Sequence, residues 1–94
     1  MRALELRHCA STDSFALRLR ASREHARLTQ AELASAARIT GRRLMALEMG
    51  GSAPPAPELI TALASLVGVP ALWLGAGDLA PAKYRPAWYV GGGA

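Results

Sequence analysis

Apolar residues along this chain recur at helical spacing, in five short runs separated by turn-forming residues. In the first run Phe15, Leu19 and Ala26 point inward and Arg18, Arg20 and Arg27 mostly outward, which predicts a helix from a cap at Asp13 or Ser14 to about Ala26. A second helix begins near Gln30. Thr29 followed three residues later by Glu32 is a capping box, in which hydroxyl and carboxylate each satisfy a free backbone N–H. Leu33, Ala34 and Ala37 then share one face. Across a tight turn, Ile39, Leu44 and Leu47 supply the apolar face of a third helix about two turns long. Thr40 can cap it, and Gly50 stands just beyond its last turn, where a left-handed residue is commonly needed.

The segment G-G-S-A-P-P-A-P from Gly50 to Pro57 is a loop, since three prolines in four positions cannot sit inside a helix. Pro57 suits the first turn of a fourth helix, whose buried stripe is Leu59, Ile60, Leu63, Ala64 and Val67 and which Gly68 ends. Pro70 starts a short fifth helix through Trp73 and Leu74. The expectation is an all-α domain of five helices and no sheet over residues 13–78. An arm precedes it at 1–12, in which Leu4 to Leu6 can be read as a short strand or a helical lead-in. A tail follows at 79–94.

Two short capped helices either side of a tight turn, from Thr29 to Gly50, are the layout of a helix-turn-helix DNA reader. The details agree with one group. Phe15, Leu19, Arg20 and Arg23, the L-T-Q at Leu28 to Gln30, Glu48 with Gly50, and G-V-P-A-L-W-L-G-A-G at Gly68 to Gly77 fall in one register from about Phe15 to Gly77. In these residues the chain resembles the Cro/repressor-type (XRE-like) helix-turn-helix family of phage and bacterial DNA-binding proteins. The resemblance implies a compact, lambda-repressor-like five-helix domain.

It also implies roles. In the family, exposed residues near the start of the third helix read bases in the major groove, and the start of the preceding helix holds a phosphate. Gln30 fits the phosphate role at a helix N-terminus. Arg42 occupies a base-contact position, where an arginine can reach guanine O6 and N7 with two hydrogen bonds. Arg43 suits a phosphate. Met45 is outward and can touch a thymine methyl or cover the helix flank. Arg38 and Thr40 in the turn, with Gly41 and Ala46 on the helix, complete the expected DNA-facing set. Gly41 and Ala46 replace polar base readers, so direct readout is thin. Arg23 and Glu48 match a family pair that bridges the first helix to the end of the third.

Two positions that are often glycine in the family, after the first helix and in the turn, are Arg27 and Arg38 here. A left-handed conformation at a non-glycine residue costs about 1 to 2 kcal/mol, which phosphate contacts can offset. The loop from Gly51 to Pro55, commonly basic in the family, carries no charge.

Net charge is +4, unevenly placed: residues 1–43 hold nine arginines against Glu5, Asp13, Glu24 and Glu32, while residues 44–82 hold Glu48, Glu58 and Asp78 and no Lys or Arg. A basic half suits a polyanion, although solvated arginine faces also occur without one. The single cysteine, Cys9, excludes an intramolecular disulfide and leaves no zinc ligand set, so a reducing, cytoplasmic setting is the simplest reading. His8 and His25 have no partners at ligand spacing. No phosphate-cradling glycine loop or catalytic constellation is present, which points away from an enzyme and from any cofactor. No apolar run is long enough for a membrane span.

Tyr84, Trp88 and Tyr89 are three of the five aromatic residues and lie outside the family pattern. So much ring surface is rarely left in solvent. Either the rings fold back on their own domain or they dock on a second subunit or another protein; a dimer contact is the favoured expectation, because small readers of this class usually bind as pairs. The functional expectation is therefore a homodimeric, sequence-specific transcriptional regulator of double-stranded DNA, most simply a repressor. With so short a chain, no separate sensing domain is expected. The rival is a protein-binding module, for example an antitoxin that holds a toxin through its aromatic tail.

Overall fold

A computed structural model describes residues 14–50 and 53–89. The arm, Asp13, Cys9, His8, Gly51 and the Gly91 to Gly93 run lie outside the described residues. Among the described residues five α-helices follow one another: α1 (Phe15–His25), α2 (Gln30–Ala37), α3 (Gly41–Met49), α4 (Pro57–Val67) and α5 (Ala71–Ala76). Two 3-10 turns come next, at Gly77–Leu79 and Ala82–Tyr84. No strand occurs among the described residues, so the fold is all-α as expected.

Local chemistry sets the ends of these helices. Ser14, rather than Asp13, caps α1 and accepts from the Leu17 N–H at 3.2 Å. The capping box of α2 is complete, with the Glu32 N–H donating to Thr29 Oγ1 at 3.0 Å and the Thr29 N–H to Glu32 Oε1 at 2.8 Å. Thr40 caps α3 through the Arg43 N–H at 3.0 Å. Gly50 and Gly68 close α3 and α4 at φ 74° and 77°, a region glycine enters without penalty. α4 and α5 start on proline-containing turns with no side-chain cap.

Each helix contributes one leucine with no exposed surface: Leu19, Leu33, Leu44, Leu63 and Leu74. Full burial of such a side chain stabilises by about 1.5 to 3 kcal/mol, so these five and the nearly enclosed Trp73 form the centre that all helices share. α1 packs on α3, α4 on α5, and α2 bridges α3 and α4. The α4 stripe is buried at Leu63, Ala64 and Val67, while Leu59 and Ile60 are half-buried at its edge.

One sequence expectation is corrected here, and one open reading gains an observation. Arg18, placed outward from its charge, is buried: Nε donates to the Leu74 carbonyl at 3.0 Å and Nη2 to that of Gly75 at 3.3 Å. These carbonyls end α5, where the helix itself supplies no donors, and a cation suits that end of the helix. The tail rings pack on their own domain, one of the two readings their sequence allowed. Tyr89 is buried edge-on against Trp73 with centroids 4.9 Å apart, and Trp88 stacks on His25 at 4.2 Å with its edge toward Trp73. Tyr84 is half-buried against the same core. Ring burial of this kind, with edge-to-face geometry, accounts for the aromatic surface within one chain.

Candidate nucleic-acid interface

The α2–turn–α3 unit is held from behind by one carboxylate. Glu48, near the end of α3, receives Arg23 Nε at 2.7 Å on Oε2 and Arg23 Nη2 at 3.1 Å on Oε1. Gln30 Nε2 also donates to Oε1 at 3.0 Å, and Arg23 Nη1 reaches the Leu28 carbonyl at 2.9 Å. The Glu48 side chain is 2% exposed, so this charge is stable only because it is answered by a forked guanidinium and an amide. Its hydrogen bond raises the Arg23 pKa above the ordinary value, against the opposing effect of burial, and Arg23 stays cationic. The network ties α1, the start of α2 and the end of α3 into one frame.

Gln30, read from sequence as a phosphate ligand, thus has its amide turned to Glu48. The first-turn N–H groups of α2 are what that end of the helix offers outward. The motif placed Gln30 at the start of α2, where it lies, but carried no sign of the Glu48 contact, which shows only when α2 and α3 are packed together.

In front of the frame, Gly41, Arg42 and Arg43 form the exposed first turn of α3, just after the Thr40 cap. Met45, on the same helix, is 46% exposed and Ala46 half-buried. Arg42, Arg43 and Met45, with Met49 at the far end, are therefore the long side chains that α3 presents outward, and Gly41 and Ala46 add no polar group.

Both turns of the unit carry a left-handed arginine, Arg27 at φ 62° and Arg38 at φ 61°. After α1 the Leu28 N–H bonds back to the Arg23 carbonyl and the Arg27 N–H to that of Glu24; after α2 the Ile39 N–H reaches Ala34 and the Arg38 N–H Ser35. This paired 6→1 and 5→2 pattern is the Schellman ending, which requires a positive φ at the residue that Arg27 and Arg38 occupy. At a non-glycine residue that conformation costs about 1 to 2 kcal/mol.

Ion pairing sorts the cations. Arg18 is buried, Arg23 is held by Glu48, and Arg20 pairs with Glu24 on the surface at 3.2 Å. Arg27, Arg38, Arg42 and Arg43 are exposed and make no side-chain hydrogen bond or ion pair. The free positive charge of residues 14–50 is thus concentrated on the two turns and the start of α3. Among the described residues, no cluster of His, Cys, Asp or Glu could hold a metal ion, and no helix is long and apolar enough to cross a membrane.

No curated protein matches the chain. Residues 14–72 match the helix-turn-helix domain family, more than half of the sequence and every element from the Ser14 cap into α5. The capped helices, the tight turn and the Glu48 frame are the parts of one known unit, and the chain belongs to that helix-turn-helix family, in its Cro/repressor-type group, with the DNA binding that such a domain implies.

Proposed function

We propose that the protein is a sequence-specific transcriptional regulator that binds double-stranded DNA as a homodimer and represses by occupying its site. The observation that carries this reading is the first turn of α3: Arg42 and Arg43 are exposed and unpaired, directly after a helix cap, on a helix whose far end is fixed by Glu48. Rigid placement of a guanidinium is what bidentate recognition of a guanine requires. Arg42 is assigned that base contact, with Met45 beside it, and Arg43 a phosphate. Exposed Leu72 on α5 and Leu79 just after it support a second-copy contact outside the DNA face. Burial of Tyr89 and partial burial of Tyr84 and Trp88 on their own domain reduce the aromatic surface on which a toxin-binding reading depends.

Selection of bound sequences from a random DNA pool tests the proposal, with a two-fold symmetric site as the expected result. On that site Arg42→Ala should weaken binding by about 1 to 3 kcal/mol per half-site and relax preference at one base pair. Arg43→Ala should weaken specific and random DNA alike. Recovery of no site would reject sequence-specific binding.

A further inference from the structure

The two turns of the reader share one four-residue pattern, identical at three positions and with Leu28 in one where Ile39 stands in the other. Ala26-Arg27-Leu28-Thr29 leads into α2 and Ala37-Arg38-Ile39-Thr40 into α3. In each copy the alanine ends or follows a helix, the arginine is left-handed, the branched apolar residue is half-buried against the core and the threonine caps the next helix. Three of the four roles explain themselves locally. A left-handed arginine does not, because glycine meets the same Schellman geometry without strain.

Among the described residues nothing compensates for either arginine. Both side chains are exposed, and neither forms a hydrogen bond, an ion pair or a ring contact. A residue that strains the backbone and contributes no internal contact is explained by something outside the molecule. An unpaired, exposed guanidinium fits a phosphate oxygen best. The two turns are separated by α2, about 12 Å long, a span that covers several phosphates of one strand.

We propose that Arg27 and Arg38 are DNA-backbone contacts, kept at two positions where glycine would make the protein more stable and its grip on DNA weaker. This rests on the DNA-binding reading and deepens it. With Gly41 and Ala46 offering little to bases, these turns shift recognition toward phosphate contact and DNA shape. They form a duplicated clamp around α2, and stability and affinity are opposed at both ends of it.

The test uses the full chain, thermal melts, and fluorescence anisotropy on a labelled mixed-sequence duplex across a salt series. Arg27→Gly and Arg38→Gly should each raise the melting temperature. Each should also weaken binding about tenfold at low salt and lower the salt slope by about one per subunit. Arg27→Lys and Arg38→Lys should keep most of the slope, since charge and not backbone shape supplies it. Glycine variants that bind with wild-type affinity and slope would overturn the clamp while leaving DNA binding intact. A melting temperature that falls on substitution would overturn the strain argument, and a wild-type chain that binds no duplex at low salt would reject both the clamp and the reading beneath it.

Discussion

Helix α1 carries two withdrawn arginines that are satisfied in opposite ways and hold opposite halves of the molecule. Arg23 faces the reader and meets a full negative charge, the enclosed carboxylate of Glu48. Arg18 faces the rear half and caps the Leu74 and Gly75 carbonyls that end α5. A fork on a carboxylate fixes orientation and leaves a stranded charge if either member is lost. On the carbonyls a guanidinium meets partial charges, so loss of the arginine leaves two backbone dipoles unanswered. A fork on a carboxylate thus holds the helix-turn-helix frame rigid, whereas a guanidinium on carbonyls holds a short, uncapped helix in place.

The strongest way to break that distinction is at Glu48. Glu48→Ala should destabilise the domain by about 3 to 5 kcal/mol, because Arg23 remains buried and unpaired. Glu58→Ala, on the exposed start of α4, should lie within about 0.5 kcal/mol of wild type. Urea unfolding of both variants measures the difference. Equal, small losses would mean that the network does not hold α3.

The rear half answers to a different pair. Gly77 has φ 58°, and a Cβ there would meet the Arg18 guanidinium carbon at 2.7 Å. Arg18→Ala should cost about 2 kcal/mol through the carbonyls it leaves bare, and Gly77→Ala a similar amount through crowding. In the Arg18→Ala background the Gly77→Ala penalty should shrink by about 1 kcal/mol, since the crowding partner is gone. A double-mutant cycle from urea melts checks it. Strict additivity would show that Gly77 is needed for its backbone alone.

These two arginines also mark where the sequence could be read and where it could not. Helix ends were legible from neighbours a few residues away: Thr29 with Glu32, Thr40, Gly50, Gly68 and Pro57 all act locally. Arg23 and Glu48 were legible through a family pattern, although Gln30 as their third member was not. Arg18 was misplaced because its charge outweighed its position. It falls between Phe15 and Leu19 on the stripe that also buries Ser22, and the spacing alone pointed inward. The carbonyls that receive it are more than fifty residues away, and no local signal marks them. The tail was half legible: composition required Tyr84, Trp88 and Tyr89 to be covered, but the cover, Trp73 and His25, depends on how the chain returns over α1 and α5.

The smallest effect sharpens the comparison at the helix starts. In the front half every helix has a side-chain cap, from Ser14, Thr29 or Thr40, while α4 begins at Ala56 with none. Ala56 nevertheless has the extended backbone of a capping residue, φ −59° and ψ 153°, so only the side-chain acceptor is missing. Ala56→Ser should supply it and stabilise the domain by about 0.5 to 1 kcal/mol, whereas Thr29→Ala should remove about 1 kcal/mol. Thermal melts resolve shifts of this size in a chain this short. If the serine leaves the melting temperature unchanged while the alanine lowers it, Pro57 already sets the start of α4 by fixing φ and removing one donor. The two halves would then differ in how their helices begin, by proline at the rear and by hydroxyl at the front. A serine that stabilises would show instead that the rear half lacks only a cap.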